Sequence, residues 1–500
     1  MNNTEKILKS SSIIIVGVII GKTLGIINQA LIGRLLGPNG FGDFALILTI
    51  LQITTVIILL GTKTGVVKFI SGYSGSNDKV GLSSLITQAS IFNFLMSLII
   101  VIISFFVLNI FFVDKFSKTT IQLILLLIPF YAFYPLLEGI VRGFGNTKYK
   151  VIAENLVKKL VRIIVFLALF YYAGFKIEGA LIALFISFII VVIFILFIIN
   201  SKFISIKELW QNNIRDEIRG LLKYSWPLAF SSYILLLFNY IDILSLSYFK
   251  DSSDVGMYVA AFGISALIGI VPQSFTYMFF PTISHLVHSN ERTEIMKTFS
   301  STVKLSYVFS LFGMFIILTN GNLLIDIIYG DAYVDSYKIL ILLGLGQFTV
   351  YATGPTGSML NALGKTRQTM ICDISGGVIN LTLNIPFVIL WGTIGVALST
   401  SISIMARNIM TLYYIKKNLG SLLFSKKYLI IGLLPLISIP VLFTLTTLEG
   451  LNNYISFLAS LLLGGLSVYI IYLINFFNEE EINTLTVVFK KVIAYIKIKK

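Results

Sequence analysis

The chain has 500 residues, of which 56% are apolar and 12% charged, and its mean hydropathy is +0.92. A soluble globular protein carries about 25% charged residues, so this composition excludes a large soluble domain and indicates a chain that crosses a membrane many times. The single cysteine, Cys372, excludes a disulfide framework and a multi-cysteine metal site.

Apolar runs of about the 20 residues that a membrane helix needs follow one another along the sequence. The first twelve predicted spans lie near 11–32, 43–60, 85–112, 121–141, 152–173, 177–199, 224–248, 255–280, 302–320, 338–361, 369–391 and 393–414. Two more, near 429–448 and 455–476, bring the predicted number of transmembrane helices to fourteen. The first span is longer than a signal peptide and carries Lys22, so we expect it to be retained.

The tenth predicted span, 338–361, is interrupted by Gly354, Pro355 and Gly357. A broken backbone is tolerated at membrane depth only against protein or a water-filled cavity. We therefore expect this helix to break beside other helices or a cavity.

Lysine and arginine fall mainly on one side of the predicted topology. With the N-terminus in the cytoplasm, 31 of the 38 basic residues are cytoplasmic, 6 are external, and Lys22 lies inside a span. The positive-inside rule therefore predicts a multi-pass protein of the cell membrane with cytoplasmic N- and C-termini. The net charge of +15 is then topological charge, which predicts no nucleic-acid partner.

The chain also matches itself at offsets of 214–219 residues. Gly42–Phe44 matches Gly256–Tyr258 at 214, and Arg142–Lys148 matches Asn361–Arg367 at 219. Six helices per repeat make the two halves parallel, which is typical of transporters with a central site between the halves. The predicted organisation is a six-helix lobe at 1–200, a cytoplasmic amphipathic linker at 201–222, a second six-helix lobe at 223–420, two extra helices at 421–478 and a basic cytoplasmic tail at 479–500.

Several short motifs resemble a known family. The stretches Leu36–Phe44, Arg142–Lys148 and Tyr337–Gly420 are similar to the polysaccharide transporter branch of the multidrug/oligosaccharidyl-lipid/polysaccharide flippase superfamily. The resemblance implies an all-α, V-shaped bundle of two lobes. It also implies a lipid-linked oligosaccharide cargo that is moved by alternating access.

Charged and polar groups inside the spans are the candidate cargo site. A charge at the bilayer centre costs roughly 2.5–3.5 kcal/mol, so such groups normally face a cavity or a partner. Lys22, Gly25 and Gln29 share one face of the first helix, with Asn28 beside them. If the cargo is the one that the family resemblance implies, Lys22 would bind its lipid diphosphate.

Two alternatives stay open for Lys22. It either binds the cargo or forms a structural pair with an acid such as Asp242 or Glu138. Asn239 and Asp242 share a face of the seventh helix, where Asp242 takes the position of Asn28 in the repeat. Asp242 is expected to pair with Lys22, to bind a coupling ion, or to form an interhelical hydrogen bond.

A second group of charges is predicted at the cytoplasmic mouth or gate. Glu138 and Arg142 are four residues apart and can neutralise each other. Lys158, Arg162 and Arg407 either meet head-group phosphates or are positive-inside flanks.

The function hypothesis is a flippase for polyprenyl-linked oligosaccharide, and the main alternative is a drug/cation antiporter of the same superfamily. Lys22 argues against the antiporter, and Asp242 argues for it. A channel or lipid scaffold fits the repeat less well. We find no catalytic set of residues, so we predict no enzyme, no metal site and no cofactor, with Na⁺ or H⁺ as the candidate coupling ion. Membrane lipids, glycosyltransferases and a polymerase are the expected partners of a monomer.

Overall fold

A computed structural model describes residues 3–76, 78–205, 215–289 and 291–420, together with a few isolated positions beyond 420. Within these residues all regular secondary structure is helical. The two predicted C-terminal helices and the basic tail lie outside the described residues apart from those isolated positions, and so does part of the predicted linker. The chain divides into two compact units, Met1–Gly256 and Met257–Lys500.

The first unit is organised around one central helix, α4. Its helices are α1 Asn3–Leu59, α2 Thr62–Ser76, α3 Lys79–Phe111, α4 Lys118–Gly143, α5 Thr147–Val151, a π-helical segment Ile152–Val157, α6 Lys158–Ala173, α7 Ile177–Lys202 and α8 Ile218–Phe249. Helix α4 packs against α1, α2, α3 and α7, and α8 packs against α1 and α2.

The second unit is organised around a long kinked helix, α14. After α9 Ser252–Ser265, which begins at the end of the first unit, come a 3₁₀ turn Ala266–Gly269, α10 Ile270–His288, α11 Arg292–Tyr329, a 3₁₀ segment Asp331–Ser336, α12 Tyr337–Ala352, α13 Thr356–Ala362 and α14 Thr366–Leu419. Helix α14 packs against α12 and α13, and α12 packs against α11.

The described helices carry the predicted membrane character. Among the described residues, eight helical segments are long and apolar enough to cross a membrane. The twelve predicted spans before residue 420 are almost entirely helical, apart from a break in the tenth. Two long helices, α1 and α14, each contain two of the predicted spans and turn at Gly37 and Gly392. The protein is therefore an all-α, multi-pass membrane protein.

The predicted break in the tenth span is confirmed. Helix α12 ends at Ala352, α13 begins at Thr356, and Gly354 between them has a φ of 75°. This φ lies in the left-handed region that favours glycine. The side chain of Asn408 on α14 stabilises the break, because its Nδ2 donates to the Thr349 carbonyl oxygen (2.8 Å) and to Thr353 Oγ1 (2.9 Å).

One side-chain contact recurs inside both units. Gln52 Nε2 donates to Tyr131 Oη (2.6 Å) in the first, and Gln273 Nε2 donates to Tyr351 Oη (2.6 Å) in the second. The two glutamines are 221 residues apart (52 to 273), and the two tyrosines 220 (131 to 351). These offsets lie one to two residues beyond the predicted range of 214–219.

Candidate functional site

The first unit brings four cationic side chains to one region. Lys22 projects from α1, and Lys158, Lys159 and Arg162 project from the first turns of α6, directly after the π-helical segment. Helix α1 packs against both the π-helical segment and α6. Wider turns of this kind occur frequently at functional sites, and this one sets the direction in which α6 begins.

A close helix approach joins α1 to the π-helical segment. A Cβ added at Gly21 would lie 2.3 Å from the Cβ of Asn155, so only glycine fits at position 21 without movement. The ammonium of Lys159 crosses this contact and donates to the Gly21 carbonyl oxygen at 2.5 Å. Lys22 follows Gly21 directly, and the charges of Lys22 and Lys159 are close enough to repel each other.

Arg162 occupies a polar position among three other helices. Its charge interacts with Tyr131 on α4, which accepts the hydrogen bond from Gln52 and lies near Tyr240 on α8. The Nε of Arg162 is buried and makes no hydrogen bond within the part of the chain that the structure describes. An arginine with unused buried donors is suited to receive an anion.

Lys158 is held by aromatic rings. Its Nζ lies 4.5 Å from the centre of the Tyr134 ring and 5.2 Å from the centre of the Phe188 ring. A cation over an aromatic face is attracted by the ring quadrupole. This contact positions the charge of Lys158 at the site.

The polar residues predicted on the first helix separate into two environments. Asn28 is 1% exposed, and neither its amide nitrogen nor its amide oxygen has a hydrogen-bond partner among the described residues. Gln29 is exposed. An unsatisfied buried amide costs free energy, so Asn28 has the properties of a residue kept for a ligand.

The residues predicted on the seventh helix lie on α8. Asp242 is buried at 7% exposure, and Asn239 is exposed. Because α8 packs against α1, the helices of Lys22 and Asp242 are neighbours, as predicted. The predicted pairing of Lys22 with Asp242 stays a prediction.

The expected pairing of Glu138 with Arg142 is not observed. Glu138 is 3% exposed, and its carboxylate oxygens lie 2.8 Å from Lys63 Nζ and 2.6 Å from Lys150 Nζ, while Arg142 is exposed. Spacing along one helix favoured Arg142, but α2 and α5 pack against α4 and bring two other lysines to the carboxylate. Glu138 therefore links three helices at this end of the first unit.

Replacing Glu138 with glutamine is expected to lower the free energy of unfolding by about 1–3 kcal/mol. Breaking a buried pair costs about 3–5 kcal/mol, and we reduce this because the side chains of Lys63 and Lys150 are 34% and 28% exposed. The matched control, Arg142→Gln, removes an exposed charge and should change stability by less than about 0.5 kcal/mol. Thermal unfolding of the purified protein measures both, and equal losses would contradict this arrangement.

The last predicted mouth residue, Arg407, belongs to the second unit. Its Nε donates to Asp373 Oδ1 at 2.6 Å. Nearby, Ser399 Oγ donates to Asn380 Oδ1 and accepts from Asn384 Nδ2. These bonds join the two segments of α14 that lie before and after its turn at Gly392.

Two family models match parts of this chain. A family model described as polysaccharide biosynthesis protein matches residues 7–287, which is more than half of the chain. The chain belongs to this family. A second model, MatE, matches residues 227–386.

Two curated relatives of this polysaccharide biosynthesis protein come from Haloferax volcanii. The probable low-salt glycan biosynthesis flippase Agl15 is 26% identical over 254 residues, which is 50% of this chain and 52% of Agl15. The probable flippase AglR is 22% identical over 255 residues, again 50% of this chain and 52% of the relative. The chain thus spans about half the length of these two relatives.

Solved structures show the fold of this family member. An inward-facing MATE transporter of the MOP superfamily superposes with a TM-score of 0.67 at 16% identity, covering 80% of this chain and 94% of that one. The lipid II flippase MurJ in an inward closed conformation superposes with a TM-score of 0.65 at 19% identity, covering 92% and 97%. The predicted fold class is therefore confirmed.

Four residues of the site escaped sequence analysis of this polysaccharide biosynthesis protein. They are Gln52, Tyr131, Lys159 and Tyr240. Helical spacing grouped Lys158 with Arg162 and left Lys159 as a flank, although Lys159 faces α1. A glutamine and a tyrosine at the same offset in both halves were the available signal for Gln52 and Tyr131.

Proposed function

We propose that this protein is a flippase that moves polyprenyl-diphosphate-linked oligosaccharide across the cell membrane by alternating access. The observation that carries the proposal is the group of four cations, Lys22, Lys158, Lys159 and Arg162, inside the first unit. Membership of the polysaccharide biosynthesis protein family and the names of the two archaeal relatives support it.

The chemistry of the cations fits a diphosphate. Like charges brought together on packed helices repel each other, so the free protein carries an electrostatic cost that a polyanion removes. Arginine and lysine form their strongest hydrogen bonds with phosphate oxygens. Such contacts at membrane depth replace the water that the diphosphate loses when it leaves the head-group layer.

The alternative is a cation or drug antiporter, which the MatE match at 227–386 favours. A cation site requires carboxylates that are free to bind the ligand. In the first unit, Glu138 is already neutralised by two lysines, and Glu154 acts on Lys158 and Lys159. Asp242, buried on α8, remains the acid that argues for the antiporter. The four cations outnumber it, so the distribution of charge in the first unit favours the anionic cargo.

The remaining parts of the proposal follow from this cargo. The protein performs no covalent chemistry, and it works as a monomer among membrane lipids beside the glycosyltransferases and polymerase that make and use the glycan. Both termini lie in the cytoplasm. Energy comes from an ion gradient of Na⁺ or H⁺, or from the cargo gradient.

The proposal is tested with purified full-length protein in liposomes. A fluorescent polyprenyl-diphosphate oligosaccharide is supplied, and a membrane-impermeant quencher reports how much of it reaches the other leaflet. We expect faster exchange than in protein-free liposomes, and no acceleration of a fluorescent phosphatidylcholine. Failure to accelerate several undecaprenyl- and dolichyl-linked oligosaccharides would refute the proposal, and proton- or sodium-coupled uptake of organic cations would establish the antiporter.

Replacing Asn28 with leucine is expected to slow flipping without lowering the melting temperature. The buried amide lacks a hydrogen-bond partner among the described residues, so an apolar side chain of similar size should leave the melting temperature unchanged or raise it. Flipping should fall about tenfold if the amide serves the cargo. A large loss of stability would instead identify Asn28 as a packing residue. The control is Lys176→Gln, which removes an exposed lysine of the same unit outside the candidate site.

A further inference from the structure

The second unit contains a cavity at the break between α12 and α13. Its volume is about 220 Å³, and it is lined by side chains from α10, α11, α12, α13 and α14. At ~30 Å³ per water this equals about seven waters, which is room for one small polar ligand. The lining includes Gln273, Ser306, Tyr351 and Arg407.

Specific contacts keep the cavity open. Gly354 packs closely against Val303 on α11. A Cβ added at Gly354 would lie 2.8 Å from Val303 Cγ2, so a larger residue would not fit there without movement. The side-chain amide of Asn408 donates hydrogen bonds to the carbonyl oxygen of Thr349 and to the hydroxyl of Thr353. The Thr349 carbonyl oxygen that the break releases is therefore satisfied within the protein.

The cavity carries hydrogen-bonding groups that the protein leaves unused. Ser306 is 1% exposed and Thr369 is half-buried, and the hydroxyls of both are buried without a hydrogen-bond partner in the described part of the chain. Both line the cavity. A buried hydroxyl without a partner is unfavourable, and two of them belong to residues in the wall of this one cavity.

The charge of the lining selects the type of ligand. Arg407 is the only charged side chain among the described residues that line the cavity. Arg407 donates its Nε–H to Asp373. This bond uses one of the five N–H donors of the arginine and fixes the plane of its guanidinium group. Tyr351 already accepts a hydrogen bond from Gln273, so its own hydroxyl proton is available to donate.

We propose that this cavity is a binding site for one compact oxyanion, a carboxylate or a phosphate, separate from the four-cation site of the first unit. Arg407 supplies the charge, and Ser306, Thr369 and Tyr351 donate hydrogen bonds to the oxygens. An acidic sugar and a phospholipid head group present the same chemistry. The proposal does not depend on flipping, because binding is measured directly.

The test uses the full-length protein purified in detergent. Glucuronate and inorganic phosphate are titrated by calorimetry, with glucose as the neutral control. We expect saturable binding of at least one anion, no binding of glucose, and about tenfold or more weaker binding in Arg407→Gln. Ser306→Ala and Thr369→Val retain the Arg407–Asp373 pair and should each weaken binding about threefold or more. Lys297→Gln removes an exposed lysine, paired with Glu294, from the same unit and should change nothing.

Some outcomes of this test identify where the bound anion comes from, and others refute the proposal. Competition by phosphatidylglycerol, but not by phosphatidylcholine, assigns the site to a lipid head group. Lack of competition assigns it to a soluble or sugar-borne anion, and both results support an oxyanion site. The proposal is overturned if neither anion binds, if glucose binds equally well, or if the Arg407 and Ser306 variants bind like the wild-type protein.

Discussion

Replacing Lys22 and Lys159 together with glutamine is expected to reduce flipping at low cargo concentration by about a hundredfold or more. A hydrogen bond to a charged group contributes about 1.5–3 kcal/mol, and two such contacts amount to at least about 3 kcal/mol, or more than a hundredfold. The melting temperature should change little, because the variant relieves the repulsion between Lys22 and Lys159 but loses the hydrogen bond from Lys159 to the Gly21 carbonyl oxygen.

Lost transport without a matching loss of stability is the signature of charges kept for a ligand. The matched control is Lys176→Gln with Lys250→Gln, which removes two exposed lysines of the same unit. The control should flip cargo at the wild-type rate. Wild-type transport in the Lys22 and Lys159 variant would remove both residues from the cargo site, and a lowered melting temperature would make them structural.

Alanine at Gly42 is expected to lower the free energy of unfolding by about 3 kcal/mol or more. An added Cβ would lie 1.8 Å from the carbonyl oxygen of Ser252, and backbone atoms cannot move aside as a flexible side chain can. Gly256 faces the reciprocal restriction, since its added Cβ would lie 2.0 Å from the carbonyl oxygen of Pro38. The side chain of Asp43 accepts a hydrogen bond from Ser252 at the same contact.

Gly42 and Gly256 are also the pair that the repeat aligns at 214 residues. Because both substitutions force apart the same two segments, the loss in the double variant should be smaller than the sum of the single losses. Gly72→Ala is the control: nothing lies within 4 Å of its added Cβ, and alanine in an exposed helix stabilises by about 0.5–1 kcal/mol. Additive losses, or a Gly42 variant as stable as the control, would contradict this close contact.

The membrane class and the helix positions could be read from the sequence because they depend on local composition. Hydropathy and the distribution of basic residues placed twelve spans that are helical in the structure, and Gly354 and Pro355 marked the one break. The number of fourteen transmembrane helices and the predicted domain boundaries stay predictions. The grouping of α8 with the first unit depends on contacts between distant segments.

The candidate site was predictable only in part. Lys22, Asn28 and Arg162 stood out because a charge or amide inside an apolar span is costly. Glu138 was assigned the wrong partner, because spacing along one helix contains no information about the lysines that α2 and α5 bring to it. Lys159 was passed over because the π-helical segment and the close approach at Gly21 are tertiary features.

The sequence by itself determined that this chain is an all-helical membrane protein with a repeated structure and a few intramembrane charges. These properties follow from how each segment partitions between water and lipid, which depends on its own residues. Only the tertiary structure decided which charges meet: four cations in the first unit, and an arginine beside unused hydroxyls in the second. Such groupings arise when helices far apart in the chain pack together, and the energy of a charge depends on those neighbours.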